Sequence, residues 1–201
     1  MTDLAALLGQ TDIYLVDQVM RGRVAPGMRI FDAGCGGGRN LVYFLREGYD
    51  VAGVDGSADA VAAVRRMARE LAPRLPPESF RHEPVESHSF PRPCAEVVLS
   101  SAVLHFARDH AHFRAMLDAT WAALAPGGLF FCRLASTIGM PERFRPLGNG
   151  RFALPDGSER FLVDEARLAA LTAELGGELL DPLKTTVVQN QRSMTTWVLR
   201  R

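Results

Sequence analysis

The sequence predicts an α/β fold of the doubly wound type, in which helices cover both faces of a mostly parallel sheet. Short apolar runs alternate along the chain with segments of helical periodicity, which is the pattern of an α/β layer fold. A glycine-rich loop over residues 34–38 follows the first apolar run and precedes a helix. In an open parallel sheet the ligand lies outside the carboxyl ends of the strands, so this loop marks a candidate binding site.

The composition is that of one domain without a strong electrostatic preference. The chain has 201 residues, of which 47% are apolar and 23% charged, so a single domain over residues 1–201 is expected. Lys plus Arg and Asp plus Glu both number 23, which disfavours nucleic acid and anionic membranes as partners. The sequence shows neither a long apolar span nor a signal-peptide pattern, which predicts a cytoplasmic location. Cys35, Cys94 and Cys132 are expected to be thiols and not a disulfide framework.

Each element of the amino-terminal half is predicted from apolar spacing and from residues that start or stop it. The apolar run over residues 28–34 predicts a buried strand, and the helix after the loop has its Leu and Phe side chains on one face. Gly48 is expected to end that helix, and Ser57 to cap the helix after the second strand. The expected elements are a helical segment over 1–27, strands over 28–34, 49–55 and 80–85, and helices over 40–47 and from 57 to the residues before Pro73.

The carboxyl-terminal half continues this alternation and then changes character. Residues 136–160 are rich in Pro, Gly and Arg and have little periodicity, so they predict a lid-like, irregular insertion that includes a hairpin. Asp164 is expected to cap the helix that follows. The other expected elements are strands over 95–101 and 129–135, a helix over 113–124, a turn over 125–128, and an antiparallel strand pair over 179–188 and 194–199.

The glycine loop does not fit the dinucleotide-binding fingerprint. In G-x-G-x-x-G, with the first two glycines of the loop in place, the third position falls on Arg39. The spacing here is D-x-G-x-G-x-G, from Asp32 to Gly38, and a second acid, Asp55, ends the second strand. An acid at that place accepts both hydroxyls of a ribose, so the pattern favours a nucleoside ligand without a demand for pyrophosphate.

Four motifs in order resemble class I S-adenosylmethionine-dependent methyltransferases of the type 11/25-like group. They are DAGCGGGRN, VAGVD, AEVVLSSAVLHF and LAPGG, and the resemblance covers residues 28–135. It implies a three-layer, Rossmann-like methyltransferase fold with a mostly parallel seven-stranded sheet and an antiparallel C-terminal strand. It also implies S-adenosylmethionine as cofactor and S-adenosylhomocysteine as product. The GRN at residues 38–40 and the short chain are most similar to the tellurite-resistance branch.

The resemblance assigns cofactor roles residue by residue. Pro84 stands where the family's third-strand motif often has Asp, so adenine recognition is expected to rest on backbone groups and Glu86. Glu96 stands where the fourth motif usually has Asp, a change that preserves the charge. The implied positions are Asp32, Gly34, Gly36, Gly38, Arg39 and Asn40 for the methionine part and the helix beneath it, Asp55 for the ribose, Gly56, Ser57, Val85 and Glu86 for the adenine side, and Ser100, Ser101 and Ala102 near the reactive methyl.

Three further sites have two interpretations each. His105, after the fourth strand, is a candidate general base, or it packs and orients a loop. Arg192, like Lys184, meets an anionic acceptor, or belongs to a solvated hairpin. Arg133 leaves the fifth strand close to the expected position of the methyl group, or is likewise solvated. Tyr14 closes over the cofactor from an N-terminal helix, or lies beside the buried face of that helix.

The function predicted is methyl transfer to a small molecule, with two other classes left open. One is a non-catalytic module that binds S-adenosylmethionine or its product, and the other is a nicotinamide-dependent oxidoreductase, which Arg39 in place of the third glycine disfavours. No metal is expected, because His110 and His112 are two residues apart and do not share a helix face. A monomer or homodimer is expected, with no nucleic-acid or membrane partner.

Overall fold

The computed structural model describes residues 3–201, and its elements alternate as the sequence predicts. Short 3-10 turns at Pro77–Ser79, Val85–Ser87, Leu104–Phe106 and Pro141–Arg143 connect them. The helices are α1 (Leu4–Leu8), α2 (Ile13–Met20), α3 (Val42–Arg46), α4 (Ala58–Leu71), α5 (His110–Ala123) and α6 (Glu165–Glu174). The strands are β1 (Arg29–Ala33), β2 (Asp50–Asp55), β3 (Phe80–His82), β4 (Ala95–Ser101), β5 (Leu124–Ala135), β6 (Arg145–Gly148), β7 (Arg151–Ala153), β8 (Glu159–Phe161), β9 (Glu178–Leu179), β10 (Lys184–Val188) and β11 (Arg192–Arg200).

The central sheet confirms the predicted mostly parallel, seven-stranded arrangement. Its strand order is β10-β11-β5-β4-β1-β2-β3, with the short β9 added against β11. The pairs from β3 to β5 are parallel, whereas β11 runs antiparallel to both β5 and β10. Because β1 lies between β2 and β4, the chain crosses from one half of the sheet to the other at β1, and the glycine loop leaves the sheet at this switch point.

Alternation along the strands divides the core into two layers. Phe31 of β1 packs in one apolar cluster with Phe113 of α5 and Leu168 of α6, whereas its neighbour Ile30 packs in another with Phe44 of α3. The second cluster also holds α2 through Leu15 and α4 through Val61 and Val64, so each face of the sheet is covered by helices. Within residues 3–201, no helix has the length and apolar character needed to cross a membrane.

Two strands differ from prediction because of prolines. β3 ends at His82, before the expected residue 85, since Pro84 has no N–H with which to continue a ladder. The strand expected over 179–188 is divided into β9 and β10, with Pro182 between them. The turn expected over 125–128 lies inside β5, where the pairing with β4 shifts its register and Gly127 has a φ of +76°.

The segment predicted as irregular contains a small antiparallel sheet. β6, β7 and β8 form three strands in that order, and Leu154 N donates to Ser158 O at 2.8 Å in the expected hairpin between β7 and β8. Strands of three or four residues contain too few alternations for periodicity to predict them. This sheet lies over the carboxyl end of β5, next to the site described below.

Candidate functional site

The glycine loop is fixed to the end of β2 and closely packed. Gly34 N and Cys35 N both donate to Val54 O, each at 2.9 Å. Gly34 has a φ of +92°, and a Cβ there would lie 2.4 Å from Val103 Cγ2. Gly38 has a φ of +86°, and its Cβ would lie 2.3 Å from Met67 Cε. Only glycine meets both the backbone angle and the close approach at these positions.

A cavity of about 580 Å³ opens beside this loop, and we call it the glycine-loop cavity. Its walls come from the carboxyl ends of β1, β2 and β4 and from the turn after β3, which is where a parallel sheet presents its ligand. Most of the residues that the resemblance assigned to the cofactor line it: Asp32, Gly34, Gly36, Arg39, Asn40, Asp55, Gly56, Val85, Glu86, Ser101 and Ala102.

Four of the assigned residues lie outside the lining. Gly38 closes the loop by donating from its N–H to Cys35 O at 2.9 Å. The Ser57 side chain caps α4 by accepting from Ala60 N at 3.3 Å, and Ser100 is fully buried in β4. The Tyr14 hydroxyl lies 2.9 Å from Thr186 Oγ1, so this side chain joins α2 to β10.

Asp32 is a buried carboxylate whose environment disfavours its charge. It is 2% exposed, and its Oδ1 has no hydrogen-bond partner among the described residues. Burial raises the pKa of Asp32 to about 7, with a further rise from Asp55 and a smaller opposing effect of Arg39. An ammonium group placed in the cavity would satisfy the free oxygen and favour its ionised form.

Asp55 connects the second strand to the glycine loop. Its Oδ2 accepts from Gly36 N at 2.8 Å, and its Oδ1 accepts from Ser57 N at 2.9 Å. Each carboxylate oxygen has a further lone pair, so the two oxygens remain able to accept from a diol in the cavity. The loop, the buried acid and the half-buried acid therefore fit the three polar parts of S-adenosylmethionine, which are its carboxylate, its ammonium and its ribose.

Several residues of the cavity wall were not predicted from the sequence. Phe106, Arg108, His112 and Met116 line it from the turn after β4 and the start of α5. Arg108 N donates to His112 Nδ1 at 3.1 Å, so the ring hydrogen is on Nε2, which lies 3.1 Å from Glu86 Oε1. The one sequence signal for these residues is that they follow β4 and so lie near its carboxyl end. Helical periodicity predicts that Met116 packs in the core and does not mark it as a residue of the cavity.

A second cavity of about 290 Å³ adjoins the first, and we call it the arginine cavity. Arg39 and Ala102 line both cavities, so they form the wall between them. Ala102 has a φ of +64°, an uncommon backbone angle for a residue with a side chain, and its N–H donates to Arg133 O at 2.7 Å. The arginine cavity is lined by Arg39, Ala102, His105, Arg133, Ala135, Leu154, Asp156, Ser158, Arg160, Val188, Arg192 and Met194.

His105 and Arg192, the two candidates for chemistry, thus face the same cavity. The Nδ1 of His105 accepts from Ala135 N at 3.1 Å, and since an amide only donates, the hydrogen of the neutral ring is on Nε2. Burial, with Arg160 nearby, lowers the pKa of His105 to about 4. The ring is therefore neutral at pH 7, with its hydrogen on Nε2.

The other two basic candidates differ in their surroundings. Arg133 lines the arginine cavity, and its Nη1 donates to Asp12 Oδ2 at 2.8 Å. Lys184 lies away from both cavities and forms an ion pair of 3.3 Å with Asp17 of α2. Glu96 is at the opposite end of the sheet, where it pairs with Arg29 at 2.6 Å.

Comparisons with known proteins identify methyltransferases as similar to this chain. Residues 30–128 match a family model described as a methyltransferase domain. A ubiquinone biosynthesis O-methyltransferase of Chelativorans sp. is 28% identical over 171 residues, which are 78% of this chain and 64% of that protein. One of Bradyrhizobium sp. is 29% identical over 152 residues, or 69% of this chain and 57% of that protein. The chain thus spans less than two thirds of the length of these relatives.

Solved structures show the same fold at low sequence identity. A methyltransferase of Methanosarcina mazei superposes with a TM-score of 0.74 at 18% identity, over 91% of this chain and 96% of that one. A 1,6-didemethyltoxoflavin-N1-methyltransferase of Burkholderia thailandensis, solved with its acceptor and S-adenosylhomocysteine, has a TM-score of 0.71 at 20% identity, over 98% and 79% of the two chains. The methyltransferase-domain match over residues 30–128, the strand order and the glycine loop at the end of β1 together support a class I S-adenosylmethionine-dependent methyltransferase.

Proposed function

We propose that this chain binds S-adenosylmethionine in the glycine-loop cavity and transfers its methyl group to a small molecule held in the arginine cavity. One observation carries the proposal: the two cavities meet at Arg39 and Ala102, and the family motifs assign Ala102 to the methyl end of the cofactor. An acceptor in the second cavity would face the cofactor across that wall.

Different residues of the glycine-loop cavity would bind different parts of the cofactor. Asp32 would pair with the ammonium, and the loop N–H groups with the carboxylate. Asp55 would accept from the ribose hydroxyls while it remains bound to Gly36 N. Val85, Pro84 and the Glu86 carboxylate, which His112 positions, would enclose the adenine.

An oxygen acceptor is the finer part of the proposal, supported by the two O-methyltransferase relatives. When bound, the sulfonium supplies the methyl carbon, whose bond to sulfur breaks with both electrons remaining on sulfur, as a bond to the acceptor oxygen forms. The hydroxyl proton of the acceptor would leave to water, because His105 already carries its hydrogen on Nε2 and accepts from Ala135 through Nδ1. The task of the protein is then mainly to align the acceptor oxygen with the methyl carbon.

Calorimetric titration with S-adenosylmethionine, S-adenosylhomocysteine and NAD tests the first half of the proposal. We expect micromolar binding of the first two and none of NAD. Binding of NAD alone would favour the oxidoreductase. Transfer of labelled methyl to a panel of hydroxylated small molecules tests the second half, and cofactor binding without transfer to any acceptor would favour the non-catalytic module.

A further inference from the structure

The arginine cavity has a surplus of positive charge at its walls. Four arginines line it, namely Arg39, Arg133, Arg160 and Arg192, against one carboxylate, that of Asp156. The Oδ1 of Asp156 is already engaged, since it accepts from Ser158 N at 2.9 Å and from Ser158 Oγ at 2.6 Å. His105, the remaining titratable group of the lining, adds no compensating negative charge.

Three of the four guanidinium groups have no ion-pair partner in the structure. Arg133 is paired with Asp12, whereas Arg39, Arg160 and Arg192 have no carboxylate within salt-bridge distance in residues 3–201. Arg160 is held in place by its Nη1, which donates to Glu159 O at 2.7 Å, and by the Phe106 ring, whose centroid is 4.7 Å from its guanidinium carbon. Guanidinium groups that line one cavity and lack carboxylate partners favour the binding of an anion.

The rest of the lining is apolar. Ala135, Leu154, Val188 and Met194 contribute hydrocarbon surface to the same cavity. At about 290 Å³ the cavity is at the small end of ligand sites. Its chemistry suits a compact molecule with an apolar body and a charged group.

We propose that the methyl acceptor is a small organic anion, whose carboxylate or phosphate binds Arg160 and Arg192 and whose hydroxyl points to the wall at Ala102. That the anion is the methyl acceptor rests on the proposed function. That the cavity binds an anion rests only on the residues that line it. Arg160 and Arg192 line the arginine cavity and not the glycine-loop cavity, so we assign them to the end of the molecule that does not react. Removing their charge should weaken anion binding without preventing cofactor binding.

Calorimetric titration of the full chain with three matched probes tests this proposal. The probes are salicylate, phenyl phosphate and the neutral salicylamide, each added to the protein alone and to the protein saturated with S-adenosylhomocysteine. We expect millimolar or tighter binding of the two anions and at least about tenfold weaker binding of the amide. A preference for salicylate over phenyl phosphate, or the reverse, identifies which anionic group the acceptor carries.

Arg160→Gln and Arg192→Gln are the test variants, and Arg145→Gln is the matched control. Arg145 is exposed in β6, in the same small sheet as Arg160, and lines neither cavity. We expect each test variant to lose anion affinity by about tenfold and the control to retain it. Equal binding of salicylamide and salicylate, unchanged affinity in both test variants, or failure of both anions to bind at millimolar concentration would overturn the proposal.

The cofactor titration separates this proposal from the proposed function. Anion binding that fails while S-adenosylhomocysteine binds would refute the anionic acceptor alone. If the anions bind and S-adenosylhomocysteine does not, the proposed function fails and the acceptor role fails with it. Methyl transfer to salicylate, followed as S-adenosylhomocysteine formation and reduced in Arg192→Gln through a higher KM, would support both.

Discussion

The Asp12 carboxylate accepts a hydrogen bond from Arg133 Nη1 at 2.8 Å, which connects the segment before α2 to the wall of the arginine cavity. The side chain of Asp12 is 1% exposed and that of Arg133 is 21% exposed. The backbone N–H of Asp12 also donates to Asn40 Oδ1 at 3.0 Å, at the end of the glycine loop. Asp12 therefore bonds one lining residue of each cavity, Asn40 and Arg133, although it lines neither cavity itself.

Replacing Asp12 should leave Arg133 partly buried and without its partner. We expect Asp12→Ala to lower the free energy of unfolding by about 1.5 to 3 kcal/mol, the range for a hydrogen bond to a charged group, as measured by urea denaturation. Asp17→Ala is the control in α2, because Asp17 forms partly exposed ion pairs with Arg21 and Lys184, and it should cost less than about 1 kcal/mol. Equal losses in the two variants would contradict this role of Asp12.

Cofactor affinity should depend on the ionisation of Asp32. With a pKa raised to about 7 in the cofactor-free protein, Asp32 is half protonated at neutral pH and must release that proton to pair with an ammonium. We expect the affinity for S-adenosylhomocysteine to rise between about pH 6 and about pH 7.5, by up to tenfold per pH unit, and proton release to appear in calorimetry with buffers of different ionisation enthalpy.

The same carboxyl should lower stability at neutral pH. A folded-state pKa above the ordinary 3.8 means that the folded protein holds the extra proton between about pH 4 and about pH 7, so this contribution to stability is lost as pH rises through that window. Asp32→Asn should therefore raise the Tm of the cofactor-free protein at about pH 8 while it weakens cofactor binding. Asp59→Asn, an exposed change in the first turn of α4, should alter neither. If the affinity of the wild-type protein for S-adenosylhomocysteine does not change between about pH 6 and about pH 7.5, Asp32 does not pair with the ammonium group of the cofactor.

Asp55 should contribute to cofactor binding through the ribose and the loop together. Asp55→Ala removes the acceptor of Gly36 N and Ser57 N, and we expect it to weaken S-adenosylhomocysteine binding by about 1 to 3 kcal/mol in calorimetry. Asp50→Ala is the matched control, since Asp50 is exposed at the other end of the same strand. Unchanged affinity in Asp55→Ala would exclude the ribose role.

The glycine-loop cavity was predictable from sequence because its residues follow strand ends. Asp32, Gly34 and Asp55 are each marked by the apolar run that precedes them, and parallel strands bring their carboxyl ends to one edge. Ser57 was predicted both as a cap and as a site residue, and the geometry shows the cap. The sequence could not distinguish a helix cap from a cofactor-binding residue at Ser57, because a residue directly after β2 can serve in either role.

The arginine cavity was only partly predictable because it is assembled from distant segments. Arg192 and Arg133 were candidates, whereas Arg160 was hidden in a segment without periodicity and Arg39 was considered only for the cofactor. The pairing of β5 with β11 and the pairing of β7 with β8 bring these arginines to the same cavity. Such long-range contacts leave no signal in local spacing.

Gly34 should be replaceable only at a large loss of stability. A methyl group at Gly34 would meet Val103 Cγ2 at 2.4 Å on a backbone with φ of +92°, so we expect Gly34→Ala to lose at least about 1 to 3 kcal/mol in urea denaturation. Gly37→Ala is the control within the loop, because its Cβ would lie 3.9 Å from the nearest side chain and its φ is not in the left-handed region. Adding Val103→Ala should restore part of the loss in Gly34→Ala, and no restoration would show that the backbone angle alone is responsible.

His105 should make the protein sensitive to acid. Its pKa is lowered to about 4 in the folded state, so between about pH 4 and about pH 6.5 the unfolded chain binds a proton that the folded chain does not, and stability falls as pH decreases through that window. The shift from 6.5 to about 4 corresponds to about 3 kcal/mol. His105→Gln, which keeps an acceptor for Ala135 N, should flatten the dependence of the free energy of unfolding on pH in this range, whereas His110→Gln at an exposed position should not. Nitrogen NMR of the ring should show a neutral Nε2–H form down to about pH 5. A ring that titrates near 6.5 would contradict this assignment, because it would mean that burial does not disfavour the imidazolium at this position.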